Sequence, residues 1–475
     1  MSRFTPVFLA GYRREWLRRD IVAGVVVWSV VVPQAVAYGQ IAGLPPEAGL
    51  MAAPGALVGY ALLGTSRTLI VSATTATSAL SAAAVGPLAD GDPVRYAALS
   101  AALALLAGVI LVAGGLLGLG AISDFVSKPV MTGFLFGLGL VVMEAQLDAL
   151  TGDNATTVVF GLVCIAVLLA FKFLRPGWPA MSLVVAGAIL VSWALGLSDH
   201  GVAVVGEVPR ALPDPTWPDV HGDDLVALLP MAFGVLILST EAVGVSRALA
   251  AQHHYEVDTS RDLAAMGASN LLAGLSSGFV QSGGASQTAA AENAGGRTQL
   301  TALIAAALIL LTGAFLGPLF TDLPQTALAA IVIVAVSSFL NVRELRRIAR
   351  LRRTAIVLAV IAGVSVVGLG VLEGLIVTAA LSLAIVVKRI SRPRVTVADG
   401  VVTPHSPLFY ANAHVVREVV RSQPAPVTLD LQHSFDLDVE TVDMLADLDV
   451  ELINVHPRAA AMLSRRGCSD LVRRT

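Results

Sequence analysis

The chain is short of charge. Asp, Glu, Lys and Arg make up 14% of its 475 residues, against roughly 25% in an ordinary soluble domain. So few charges could not cover the surface of a water-soluble fold of this length. Cysteine is scarcer still. Cys164 lies in an apolar block and Cys468 near the C-terminus, which leaves neither a disulfide framework nor a thiolate metal site. No basic tract carries interleaved aromatics, so nucleic acid is not an expected partner, and a formal net charge of -3 points to no other. No cluster of metal ligands and no nucleophile–base spacing supports a membrane enzyme.

What the chain has instead is apolar sequence in long runs. Hydrophobic residues are 56% of the total, and mean hydropathy is +0.78. The uncharged blocks are 21–44, 48–64, 68–89, 96–123, 129–143, 154–171, 176–198, 225–240, 263–291, 298–321, 323–342, 354–372 and 374–387. About 20 apolar residues cross a hydrocarbon core, so most of these blocks read as membrane spans. The first is too long for a signal-peptide core and no small-residue cleavage pattern follows it, so it reads as a retained span. Block 263–291 is too long and too rich in glycine for one helix, and divides near Gly278. The count is then about fourteen spans.

Basic residues favour the cytoplasmic side. One cluster, Arg3, Arg13, Arg14, Arg18 and Arg19, precedes the first span. A second is Arg343, Arg346, Arg347, Arg350, Arg352 and Arg353, and a third is Lys388, Arg389, Arg392 and Arg394. The longest loop, about 199–224, holds one arginine and six acids and should face outward. An even span count puts all three clusters and both termini inside, in an inner (plasma) membrane. The expected organisation is a cytoplasmic segment at 1–19, a transmembrane domain at 20–390 and a small cytoplasmic α/β domain at 395–475. In that tail, Val427–Leu431 and Glu451–Val455 read as strands, and Val439–Leu448 has helical spacing.

Two segments fail as ordinary greasy helices. Thr68 to Ala89 holds Thr68, Ser72, Thr74, Thr75, Thr77, Ser78 and Ser81. Gly278 to Ala291 holds Gln281, Ser282, Gly283, Gly284, Ser286, Gln287 and Thr288. Both read as extended backbone running into a short helix. Irregular backbone at membrane depth survives only where protein or a water-filled cavity satisfies it. A half-helix that starts there points free N–H groups and a positive dipole end at its N-terminus, and two such ends make an anion site without a cationic side chain. Among fourteen spans these are the third and the tenth, equivalent positions in two repeats of seven, which is a pointer to a transporter site. The alternative is that these small residues serve close helix packing.

Glu241 follows sixteen uncharged residues, 225–240. An intramembrane carboxylate reads by default as functional, here as a carrier of a proton or a ligand of a coupling cation. The alternative is a structural pairing with Arg247 or a helix cap. For Glu292 and Arg297 an ion pair is as good a reading as a transport role. Trp28 and Tyr38 read first as packing residues of the first span.

Several motifs resemble one family. Pro33-Gln34-Ala35-Val36-Ala37-Tyr38, continuing through Ala42-Gly43-Leu44-Pro45-Pro46 to Gly49-Leu50, is similar to the signature of the SulP anion transporters. Gly64-Thr65-Ser66-Arg67, Ser127-Lys128-Pro129-Val130-Met131-Thr132-Gly133-Phe134 and Gly317-Pro318-Leu319-Phe320 match it too. The tail resembles that family's STAS domain through Pro407-Leu408-Phe409-Tyr410-Ala411-Asn412-Ala413 and Leu429-Asp430-Leu431. The resemblance implies an α-helical membrane protein of about fourteen spans in two inverted repeats of seven, shared with uracil permeases, with a core domain moving against a gate domain in a homodimer. It implies substrate contacts at Gln34, Tyr38, Thr74, Thr75, Ser286, Gln287 and Thr288, with Glu241 serving the coupling ion or proton. If that ion is sodium, Glu241, Thr75 and Ser286 are its candidate ligands. No other cofactor is expected.

The sequence departs from the family pattern in three places. Ser72-Ala73 stands where many members have Gly-Pro. Gln287 stands where many have a basic residue. The tail is trimmed around Ala446 to Val450, which weighs packing or dimerisation against regulation as its role. Without the basic residue, dipoles and hydroxyls must hold the anion, or a co-bound cation must help, so symport is favoured over bare exchange. A nucleobase permease of the same fold and an anion-sensing membrane regulator remain as other readings.

Overall fold

The computed structural model describes residues 12–118, 128–152, 154–174, 180–206, 215 and 217–472. Arg3, Ser127, most of segment 1–19, the ends of blocks 96–123 and 176–198 and much of the 199–224 loop lie outside them. Contacts divide the chain into two compact units, one running to Ala379 and the other from Ala380.

The first unit is helical, as uncharged sequence in a medium without water requires. Its helices are α1 (Leu17–Ile41), α2 (Pro46–Leu63), α3 (Thr75–Ala89), α4 (Pro93–Leu116), α5 (Lys128–Ala145), α6 (Leu147–Thr151), α7 (Ala155–Leu174) and α8 (Ala180–Leu195). After the long loop come α9 (Gly222–Gln252), α10 (Thr259–Leu275), α11 (Ala285–Asn293), α12 (Leu300–Leu311), α13 (Gln325–Val336), α14 (Val342–Leu351), α15 (Arg353–Leu369) and the first half of α16 (Val371–Ile390), whose sequence continues past the boundary at Ala379. Six helical stretches among the described residues are long and apolar enough to cross a membrane: Arg14–Ile41, Pro93–Leu116, Lys128–Ala145, Ala155–Leu174, Gly222–Gln252 and Leu300–Phe320. The last includes a π turn at Thr312–Leu316, where Thr312 Oγ1 accepts from Trp28 Nε1 at 2.8 Å.

Local chemistry sets several boundaries. Pro46 begins α2 at a position where proline's missing N–H is harmless. Asp92 caps α4 and Asp258 caps α10, each carboxylate accepting two backbone N–H groups. The two expected broken segments are broken: strand β1 (Val71–Ser72) precedes α3, and strand β2 (Ser282–Gly283) precedes α11.

Helix packing separates two groups. Helix α10 lies against α2 and α4, and α12 against α1 and α2. Helix α5 lies against α15, and α7 against α13. The arginine-rich α14 is amphipathic and buries Ile348. It is pinned to α5 by Lys128 Nζ on Glu344 Oε1 at 3.0 Å. The hydrogen bond from Lys128 holds the Glu344 carboxyl below its usual pKa.

The second unit has its own apolar core, including Val402, Val416, Leu429, Leu445, Leu452 and Leu463. Strands β3 (Val395–Ala398), β4 (Val401–Pro404), β5 (Val427–Asp430) and β6 (Val450–Ile453) form one sheet in that order. The first pair is antiparallel and the other two are parallel. Helices α17 (Ala413–Arg421), α18 (Val439–Ala446) and α19 (Pro457–Arg465) complete the unit. The strands and helix read from the sequence at Val427–Leu431, Glu451–Val455 and Val439–Leu448 coincide with β5, β6 and α18 to within a few residues. Asp438 caps α18. Its partial burial works to raise its pKa, but hydrogen bonds from Thr441 and the Tyr410 N–H outweigh that and hold it below the usual carboxylate value.

Candidate functional site

The two broken segments meet. Strands β1 and β2 pair antiparallel, Val71 opposite Gly283 and Ser72 opposite Ser282. The crossing extends through Gly284 N–H on the Ile70 carbonyl at 2.9 Å. Such short strands could not stay extended alone, and buried amides hold them. Asn270 of α10 exchanges hydrogen bonds with the backbone N–H and C=O of Gln281, both at 2.9 Å. Gln299 donates to the carbonyls of Ser66 and Leu69, also at 2.9 Å.

The half-helix ends differ. Thr74 caps α3, and with Thr77 it forms a reciprocal capping box that occupies two of the free N–H groups. Helix α11 starts after Gly284, which has no side chain to cap it, so its N-terminus carries no side-chain cap. A side chain there would displace Gln287. A Cβ on Gly284 would fall 1.2 Å from Gln287 Oε1, because the Gln287 amide folds back over the helix start. That amide is clamped by donating to Gln34 Oε1 at 2.7 Å and to the Ala73 carbonyl at 3.1 Å. Gln34 donates in turn to Met181 Sδ at 3.2 Å. Helices α1 and α8 and the two half-helices are thereby tied at one point.

A cavity of about 350 Å³ opens at this crossing. Tyr38, Thr74, Thr75, Glu241, Ser286 and Gln287 all line it. Glu241 reaches it because Gly283 lets α9 press against β2; a Cβ on Gly283 would lie 2.5 Å from the Ala242 Cβ. Its carboxylate is exposed to the cavity and has no hydrogen-bond or ion-pair partner among the described residues. The opposite wall comes from α7, α8, α13 and the turn after α13, through Leu168, Lys172, Met181, Val334 and Phe339.

Two expected contacts sit elsewhere. Gln34 lines a second cavity, of about 450 Å³, which shares Ala180, Met181 and Ser286 with the first. Thr288 is buried and lines neither; its Oγ1 accepts the Ile70 N–H at 3.0 Å and so braces the crossing. Glu292 pairs with His253, Nε2 to Oε2 at 2.7 Å, not with Arg297.

Sequence reasoning missed the residues that hold the frame. Asp20 is fully buried and accepts the N–H groups of Arg297 and Thr298 and the Thr298 hydroxyl. Asp262 is equally buried and accepts the N–H and hydroxyl of Thr65 and the Ser246 hydroxyl, each at 2.7 Å. Each carboxylate anchors the turn that leads into or out of a broken segment. The signal was present, because Asp20 and Asp262 each directly adjoin an uncharged block, and Asn270 and Gln299 lie inside one.

A helical membrane unit whose two interrupted segments cross beside a cavity of about 350 Å³ is the construction of a solute carrier. The chain belongs to the sulfate permease family, whose profile matches residues 17–157 and 153–362. A probable sulfate transporter of Mycobacterium tuberculosis is 35% identical over 93% of this chain and 88% of its own length. The sodium-independent sulfate anion transporter of Bos taurus is 29% identical over 97% of this chain and 86% of its own. Among solved structures, the murine Solute Carrier 26 family member A9 anion transporter in its inward-facing state shares the fold, with a TM-score of 0.87 at 22% identity over 97% of this chain and 90% of that one. The transmembrane domain of a cyanobacterium bicarbonate transporter, BicA, aligns with a TM-score of 0.67 over 77% of this chain and 98% of that one. The protein is a multi-pass membrane transporter of small anions and not an enzyme.

Proposed function

We propose that the chain is a secondary active transporter of a small inorganic or carboxylate anion, of the sulfate, bicarbonate or dicarboxylate class, with Glu241 carrying a coupling proton or sodium ion. One observation carries this reading: an uncapped half-helix N-terminus and an unpaired carboxylate share one cavity. The helix end attracts an anion. The carboxylate repels it, by roughly 3 kcal/mol for unit charges ~6 Å apart at an effective dielectric constant near 20. A proton or sodium ion on Glu241 removes that repulsion, so anion and cation bind together and move together. Tyr38, Thr74, Thr75, Ser286 and Gln287 are the proposed contacts of the anion, with Gln34 and Thr288 behind them. The bovine relative is named sodium-independent, which makes the proton the first candidate.

In this reading about fourteen spans form two inverted repeats of seven, and the group holding α7 and α13 moves against the group holding α3, α9 and α11. The basic clusters orient both termini to the cytoplasm of an inner (plasma) membrane. The tail is a shortened STAS-like domain, and the working unit is a homodimer.

Reconstituted protein is expected to accumulate labelled sulfate, bicarbonate or a dicarboxylate under an imposed proton or sodium gradient. Glu241→Gln should abolish gradient-driven uptake and leave the melting temperature near that of the wild type. Uptake of every anion equal to that of empty liposomes, with accumulation of uracil, would overturn the reading.

A further inference from the structure

The site residues on the α3, α9 and α11 wall include no cation, and the amide of Gln287 is neutral. The opposite wall has one. Lys172, near the C-terminal end of α7, lines the 350 Å³ cavity, and with Glu241 it is one of two charged residues among those described in the lining. Its side chain is exposed. Its ammonium donates to Ser337 Oγ at 3.3 Å and forms no ion pair among the described residues. Two of its three N–H donors are left facing solvent or a solute.

Its position gives it a direction. Lys172 shares the cavity rim with Ser338 and Phe339, directly ahead of the arginine-rich α14. That end of the cavity faces the cytoplasm under the orientation proposed above. Resting on that reading, we infer that Lys172 is a substrate-specificity residue of the cytoplasm-facing state. Its ammonium supplies the positive charge that draws the anion into the cavity, and the half-helix end then takes it over. A cavity with low-dielectric walls strengthens such a field. Because Lys172 belongs to the α7–α13 group and the hydroxyl-lined pocket to the other, the charge serves one face only. Anion affinity should therefore be sided, with Lys172 affecting binding from the cytoplasm and not from outside. Anchoring at the membrane interface, the ordinary use of a lysine at a helix end, would produce no such asymmetry.

The test compares intact cells, which report the external KM, with inverted membrane vesicles from the same cells, which report the cytoplasmic KM. The probe is radiolabelled sulfate, with radiolabelled bicarbonate as the second. Lys172→Gln is expected to raise the cytoplasmic KM about tenfold, in the range that charge steering provides. Its kcat and external KM should stay within about twofold of the wild type, and Lys172→Arg should restore the cytoplasmic KM. In the wild type the cytoplasmic KM should rise with ionic strength, a dependence that Lys172→Gln reduces; Lys172→Met, which removes the same charge, takes its place if Lys172→Gln does not reach the membrane. Saturable wild-type transport with an unchanged cytoplasmic KM in Lys172→Gln, or with equal shifts on both faces, overturns this inference alone. Wild-type transport of neither probe overturns the anion-transport reading itself, and this inference with it.

Discussion

At the scale of single residues, the site depends on an amide held in one place. Gln287 bridges Gln34 and the Ala73 carbonyl, and its oxygen fills the space that a side chain at position 284 would need. Gly284→Ala must therefore push the Gln287 amide aside. The clash is with the far end of a flexible side chain, so the fold should survive, at a loss of about 1–2 kcal/mol for the broken hydrogen bonds. Uptake should fall sharply, and a double-mutant cycle identifies the cause. If Gly284→Ala acts by displacing Gln287, then adding it to Gln287→Ala should change uptake no further. Additive losses would mean that Gly284 matters through the backbone of the helix start instead.

At the scale of elements, much was legible in the sequence because membrane burial leaves a coarse signature. Uncharged runs mark helices, and runs containing seven hydroxyls or adjacent glycines mark places where a helix cannot be continuous. Both breaks fell where they were expected, and β1 pairs with β2. What was not legible was which polar groups support the breaks. Gln299 acts across a long sequence separation and Asn270 across a break in the helix, and an isolated amide in an apolar run does not reveal its partner. The asymmetry of the two helix ends was likewise hidden, because Thr74 caps its helix only through its register with Thr77. Asn270 can be tested against its neighbour. Asn270→Ala strands the N–H and C=O of Gln281 in a fully buried position and should destabilise by about 2–3 kcal/mol. Ser269→Ala removes a hydroxyl donor to the carbonyls of Ala56 and Ala265 and should cost under about 1 kcal/mol. Detergent melting temperatures rank the two, and equal losses would deny Asn270 its role as the tie that holds β2.

At the scale of the whole molecule, the chain is two units with separate apolar cores. One core draws on residues from Val27 to Leu375 and the other on residues from Val402 to Leu463. A unit with its own core can fold alone. The cavity, the crossing strands, Glu241 and every brace around them lie before Ala379. A chain ending at Arg394 should therefore still insert, melt cooperatively and carry out gradient-driven uptake at roughly half the full-length rate or better. Cross-linking of the same preparation shows what the tail adds. A monomer that still transports gives the tail a role in assembly, and a dimer with an altered rate gives it one in control. A truncated chain that inserts but shows no uptake would mean that the transport cycle depends on the tail, and that separate cores do not make separate functions in this protein.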